Sequence, residues 1–341
     1  MIPYFRPEAL MLLEGPVDLG PFTLQNIAIQ PWGVMAAVGF MVGSWVCQQF
    51  AKRRGIAPKV YADIVVWLAA GALIFGHLGH VLYEPQTYLN NPIKLLQVWN
   101  GLSSMGGFFG CTLLAVIFFR RQGIHPFRGG DILMIGLTFG LVFGRLGCFV
   151  VHDHPGVKVE EANPVVAATL GVLAVAYPDR AELRAKGSKE LEKHPARWTK
   201  LQKQADTNEW SPERLSYEVG LEAWHVPRPA VGTARFDLGL MDALLALSVF
   251  FLLVFLARKP RPAGTLLAVV PLAYMPVRLF LDTLRNTDLS QQDTRYGGFT
   301  PAQYGAVIMI FAGIWVFTQS RKHAAWPEAG TKAWEPPADA S

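Results

Sequence analysis

Residues 105–151 read MGGFFGCTLLAVIFFRRQGIHPFRGGDILMIGLTFGLVFGRLGCFVV. An apolar run ends at Arg120-Arg121, a short turn carries Gly123, Pro126 and Arg128, and a second apolar run continues to Val151. Runs of this kind suit a helix that crosses a hydrocarbon core about 30 Å thick. One charge, Arg145, interrupts the second run.

The same pattern stands earlier in the chain. Arg53, Gly55, Ile56, Pro58, Asp63, Ile64, Gly76, Leu78 and Gly79 recur as Arg121, Gly123, Ile124, Pro126, Asp131, Ile132, Gly144, Leu146 and Gly147, each at an offset of 68. This is a parallel repeat of a span, a basic turn and a returning span. Membrane proteins often place sites where such repeats meet. The offset also sets His77 opposite Arg145 and His80 opposite Cys148.

Outward from this pair, the whole chain is built of such blocks. Of its 341 residues 51% are hydrophobic and 17% charged, and mean hydropathy is positive. Spans are expected near 33–51, 61–83, 105–120, 130–151, 238–257, 264–283 and 301–319. The basic groups Lys52-Arg53-Arg54, Arg120-Arg121 with Arg128, Arg258-Lys259 with Arg261, and Arg321-Lys322 close the first, third, fifth and seventh of these. Cytoplasmic loops carry the excess of Lys and Arg, so the N-terminus is expected outside and the C-terminus inside. The fold class is therefore an all-α polytopic membrane protein of about seven transmembrane helices, N-out/C-in, with a small external head. The net charge of +5 reads as topology, and no nucleic-acid partner is expected. Cys47, Cys111 and Cys148 all lie in or at the end of apolar blocks, which argues against a disulfide framework.

The expected organisation is an external segment 1–32, spans one to four with the repeat over 33–151, an external head over 152–237, spans five to seven over 238–320 and a cytoplasmic tail 321–341. Residues 1–31 carry Pro3, Pro7, Glu8 and Glu14 with no basic start and apolar run, so no cleavable signal is expected. Residues 84–104, with Pro85, Pro92 and Trp99, are expected along the interface, and the Pro-rich tail after 323 is expected to be loose.

Ionisable groups inside a span cost about 2.5–3.5 kcal/mol on insertion scales, so each is a functional candidate. Arg145 and Arg278 are the leading pair, and a guanidinium fork suits the phosphate of a lipid headgroup. The alternative for Arg278 is a structural pairing with Asp282 and Arg285 along one helical face. His152-Asp153-His154 follows Cys148 at the end of the fourth span and offers a general base beside a carboxylate. A metal held by these residues with His77 and His80 is a second reading, and a solvated loop a third. The expected site contains neither metal nor cofactor. Gly106 and Gly107 open the third span and would let a lipid, or simply a neighbouring backbone, come close.

Across nearly all of residues 24–322 the sequence resembles the prolipoprotein diacylglyceryl transferase family. Gly144-Arg145-Leu146-Gly147 is similar to the start of the family's Gly-Arg-[Ile/Leu]-Gly-Asn-Phe signature. Val277-Arg278, with Tyr274 before it and Asp282 and Arg285 after it, resembles the family's sixth-span arginine segment. Arg258-Lys259-Pro260-Arg261-Pro262 and Val98-Trp99-Asn100-Gly101 resemble two family turns. The resemblance implies transfer of the diacylglyceryl group of phosphatidylglycerol to a lipoprotein-precursor cysteine, forming a thioether and releasing glycerol phosphate, in the bacterial inner membrane. It also implies catalytic roles for Arg145 and Arg278, with the family's acid retained as Asp153; His152 and His154 join these as candidates on the residue reading above. Substrate contacts would come from Gly106, Gly107, Gly144, Gly147, Cys148, Tyr274, Asp282 and Arg285.

The departures concentrate on proton transfer. The family's His before Gly-Gly is Met105, its Asn is Cys148, and its later Asn-Gly-Glu is Val151-His152-Asp153. A family aromatic is met by Trp32, and a Tyr-Glu pair by Met241-Asp242. A thiol with a pKa of about 8.5 still needs an acceptor at neutral pH, so His152 or His154 is expected to supply it. Two other functions fit the same scaffold: a phospholipid-dependent enzyme with a different acceptor or a bound metal, and a non-catalytic lipid-binding protein.

Overall fold

The computed structural model describes residues 1–8, 10–19, 22–96, 101–289 and 295–323. Val98, Trp99, Asn100 and the tail after 323 lie outside these. In chain order the elements are β1 (Ile2–Pro3), β2 (Leu10–Leu19), β3 (Phe22–Ile29), α1 (Pro31–Arg53), α2 (Pro58–Tyr83), α3 (Pro85–Asn90), α4 (Ser104–Arg121) and α5 (Pro126–Val151). There follow β4 (Pro155–Lys158), α6 (Pro164–Leu170), β5 (Ala174–Ala176), α7 (Arg180–Lys193), α8 (Thr199–Thr207), α9 (Pro212–Trp224), β6 (Ala234–Asp237), α10 (Leu238–Leu256), α11 (Thr265–Thr283) and α12 (Pro301–Ser320).

Six helices, α1, α2, α5, α10, α11 and α12, are long and apolar enough to cross a membrane. The expected seventh, α4, has 18 residues only when its closing Arg120 and Arg121 are counted, and it is not among the six. The long helices carry large exposed apolar side chains, including Phe40, Trp45, Leu82, Phe251, Phe255, Phe311 and Trp315. A water-soluble surface does not sustain so many, whereas a lipid-facing one requires them.

Two compact units divide the chain. One comprises Ala36–Phe143, Leu244–Leu279 and Pro301–Ser341; the other comprises Met1–Met35, Gly144–Ala243 and Phe280–Thr300.

In the first unit the repeat has a backbone counterpart. Helices α2 and α5 each have 26 residues and start with Pro58 and Pro126, again 68 apart. Ile56 N–H donates to Ala51 O at 3.0 Å and Ile124 N–H to Phe119 O at 2.9 Å. Gly55 and Gly123 turn at φ +71° and +67°, where a side chain would be strained. The helices then meet on glycine. A Cβ on Gly140 would stand 2.7 Å from Gly39 O, and one on Gly71 would stand 2.8 Å from Gly110 O. Gly106 is spent in the same way, since its Cβ would collide with Phe75 O. Asp131 accepts from Gly264 N and Leu267 N, both at 2.8 Å, and so caps the start of α11.

The second unit holds a four-stranded sheet in the order β1-β5-β6-β4. The residues expected as a bare lead-in therefore contribute a strand: Ile2 and Pro3 pair with Val175 and Ala176. Residues 284–289 join as well, with Val157 N–H donating to Leu284 O at 2.8 Å and Asn286 to Pro155 O at 2.6 Å. Arg235, with 0% of its side chain exposed, holds these pieces together. It donates twice to Asp288, at 2.9 and 2.5 Å, and to the carbonyls of Gly156 and Pro229, both at 3.2 Å. Asp288 is consequently held below its ordinary value by its bond from Arg235. Beside this sheet Asp179 and Glu182 form a capping box on α7.

Candidate active site

The end of α5, the turn 152–154 and the start of α10 all lie in the second unit. Gly147 and Gly239 bring them close. A Cβ on Gly147 would meet Trp32 Cδ1 at 3.2 Å, and one on Gly239 would meet Phe149 N at 2.7 Å. Gly144, by contrast, would have nothing within 4 Å of its Cβ.

Arg145 Nε stands 3.6 Å from Asp242 Oδ2 on α10. The carboxylate is 1% exposed and the guanidinium 24%. A part-exposed guanidinium beside a buried carboxylate is suited to meet an anion. In the sequence Asp242 stands out only as a departure from the family pattern. Its signal was available, since it is a charge within an otherwise apolar span.

His152 turns the chain with φ +48°. Its Nδ1 lies 2.9 Å from Asp237 Oδ2 and its Nε2 lies 2.8 Å from Phe5 O. Tyr4 stacks on the ring at 4.5 Å. Both ring nitrogens thus face acceptor oxygens of the chain. Asp237 also accepts from Leu240 N at 3.0 Å, so the same carboxylate caps α10. The turn returns Asp153 and His154 over Cys148: Asp153 N–H donates to Cys148 O at 3.1 Å, and His154 Nδ1 lies 3.4 Å from Asp153 Oδ2. Cys148 is buried and Asp153 largely exposed.

The other expected residues are placed differently. Asp282 is buried and accepts from Arg285 Nε at 2.9 Å and Thr300 Oγ1 at 2.6 Å. That bonding ties Arg285 to the chain at the end of α11. Arg278 and Tyr274, both buried, belong to the first unit, as do Gly106 and Gly107. Met105 lies there against α12, where a Cβ on Gly305 would be 3.2 Å from its sulfur. His77 Nδ1 lies 3.3 Å from Gly101 O, and His77 and His80 both face the edge of Tyr88. Among the described residues the group with metal-ligand spacing is Cys148, Asp153 and His154, without His77, His80 or His152.

A family model described as prolipoprotein diacylglyceryl transferase matches residues 21–319. The chain belongs to the prolipoprotein diacylglyceryl transferase family. Its relatives include a phosphatidylglycerol–prolipoprotein diacylglyceryl transferase of Azospirillum brasilense, 25% identical over 91% of this chain and 96% of that protein. One from Enterobacter sp. (strain 638) is 27% identical over 86% of this chain and 90% of its own length. One from Staphylococcus xylosus is 28% identical, and there the match spans about half of the relative, 43% of this chain and 53% of that protein. Membership of this transferase family agrees with the several membrane-crossing helices, and the chain is a multi-pass membrane protein.

Proposed function

We propose that this chain transfers the diacylglyceryl group of phosphatidylglycerol to the cysteine thiol of a lipoprotein precursor. The observation that carries the proposal is Arg145, part-exposed and backed by buried Asp242, inside the segment matched by the family. Arg145 binds the lipid phosphate and stabilises the charge that develops on departing glycerol phosphate. Arg278 is a second cation required for turnover. The thiol proton is lost at the Asp153–His154 pair, because the ring of His152 is already engaged on both sides. The sulfur–carbon bond forms as the carbon–oxygen bond to phosphate breaks, and glycerol phosphate leaves with the electron pair.

The proposed location is the bacterial cytoplasmic membrane, with the N-terminus and head outside. Basic last turns on α1 and α4 support this orientation. An impermeant label on right-side-out vesicles should reach cysteines introduced in the head and miss those introduced at 123 or 260. The activity is tested by reconstitution with phosphatidylglycerol and a peptide bearing one free cysteine. A diacylglyceryl mass increase that disappears in Arg145→Ala is expected; full activity in that variant sinks the assignment. A second reading keeps the lipid donor and changes the acceptor. Met105 favours it, since a thioether cannot transfer a proton.

A further inference from the structure

The sheet of the second unit has one end that leads into the membrane. β6 runs without a break into α10, a helix long and apolar enough to cross a bilayer. Pro155 opens β4 soon after α5 ends, and it pairs with Asp237, the last residue of β6. β5 is antiparallel to β6 and places Ala174 opposite Phe236. The chain therefore enters β5 from the membrane end of the sheet, and the turn just before β5 lies at that end.

That turn is Gly171–Leu173, a 3-10 continuation of α6. No residue from Ala162 to Pro178 carries a charge, although Glu160-Glu161 and Asp179-Arg180 stand on either side. Val165, Ala168, Thr169 and Val172 follow the spacing of one helical face. All four are exposed, Val165 at 70% and Val172 at 66%. A helix on a water-facing surface turns its polar stripe outward; this one turns out an apolar stripe. Single exposed valines need no explanation, whereas a whole apolar face does.

The polar groups of the segment are spent within it. Thr169 Oγ1 donates to Val165 O at 2.7 Å, Val165 N–H to Asn163 Oδ1 at 2.9 Å and Ala167 N–H to Asn163 O at 2.9 Å. Gly171 N–H donates to Ala167 O and Ala174 N–H to Gly171 O. A segment bonded in this way can leave water without leaving those donors unpaired.

We propose that α6 and the turn after it lie in the interfacial layer of the leaflet on the head's side, with Val165, Ala168, Thr169 and Val172 against lipid. The occupant is a lipid surface because the face stands at the end of the sheet where α10 enters the bilayer, and because it offers no charge to a soluble partner. Helices of this kind bury their apolar face about 5–10 Å into the boundary between headgroups and acyl chains. The exposed Glu160, Glu161, Asp179 and Arg180 stay in water at its two ends. The contact anchors the head at a point other than the helices that lead into it.

The test uses the full chain in phosphatidylcholine vesicles, with an environment-sensitive fluorophore on Val172→Cys or on Arg180→Cys. Arg180 is exposed and follows the far end of β5. The unsubstituted chain, treated alike, gives the blank for Cys47, Cys111 and Cys148. Lipid bearing a nitroxide near the top of its acyl chain should quench the label at 172 several-fold more than the label at 180, and emission at 172 should shift to the blue. Equal quenching at the two positions, or none at 172, overturns the proposal. Val165→Asp changes an exposed side chain and should lessen the quenching at 172. Unchanged quenching in that variant shows that the fluorophore, and not the helical face, sought the lipid, and it overturns the proposal too. A label that lipid leaves bright and that only an added cysteine peptide with an apolar segment shields assigns the face to the peptide instead. The measurement needs no lipid transfer, so its failure leaves the transferase reading standing.

Discussion

At the end of α5, Arg145 carries a charge that an apolar span penalises, and Asp242 answers it from α10 at 3.6 Å. Removing the guanidinium in Arg145→Ala should lower turnover about 10²–10³-fold, the usual effect of losing one stabilising donor. Arg145→Lys should recover only part of this, because an ammonium lacks the planar fork. Steady-state rates with phosphatidylglycerol check both. The two histidines of the turn should separate by readout. His152→Ala loses a buried bond to a carboxylate, worth about 1.5–3 kcal/mol, and should lower the melting temperature while the folded fraction keeps its turnover. His154→Ala should abolish turnover with little change in melting. Equal effects on both measurements would contradict this division. The division was hidden in the sequence, where His152 and His154 are equivalent neighbours. Asp237 and Phe5, which engage His152, lie 85 and 147 residues away along the chain.

Helix packing in the first unit depends on backbone contact at glycine, since apolar side chains gain nothing by leaving lipid for another helix. Gly140 faces Gly39 O with no room for a branched side chain. Gly140→Val should force α1 from α5 and lower thermal stability in detergent. Gly33, on the same helix α1, has nothing within 4 Å of a Cβ. Gly33→Ala should be neutral or stabilising by up to about 1 kcal/mol, from helix propensity alone. Matching losses in the two variants would show that glycine content rather than contact is what matters. Span positions were largely legible in the sequence because length and hydropathy are local properties. Observed helices begin earlier than the expected spans at Pro58 and Pro126, where proline suits a first helical turn. Gly106 looked the same as a lipid-contacting glycine, yet its space is taken by Phe75 O.

For the molecule as a whole, the head is assembled from the N-terminal strand, residues after α5 and residues after α11, with Arg235 as their common tie. Asp288 is held below its ordinary value of 3.8 by the bond from Arg235. A depressed carboxylate stabilises the fold fully above its unfolded value and ceases to do so as pH falls through its folded value. Acid should therefore loosen the head below about pH 4, and Asp288→Asn should remove that part of the pH dependence while lowering stability at neutral pH. Tryptophan fluorescence against pH, in wild type and variant, measures this. An unchanged acid midpoint in the variant would assign the transition to other groups.

Hydropathy, the basic flanks and the offset of 68 were enough to establish a multi-pass helical protein with an internal repeat and to single out Arg145, because each depends on residues near one another in the chain. Folding alone determined that Asp242 pairs with Arg145 and that His152 is bound on both sides. The reason is physical. A span is recognised by the solvent it must enter, whereas a site is made by groups that become neighbours only after distant segments pack.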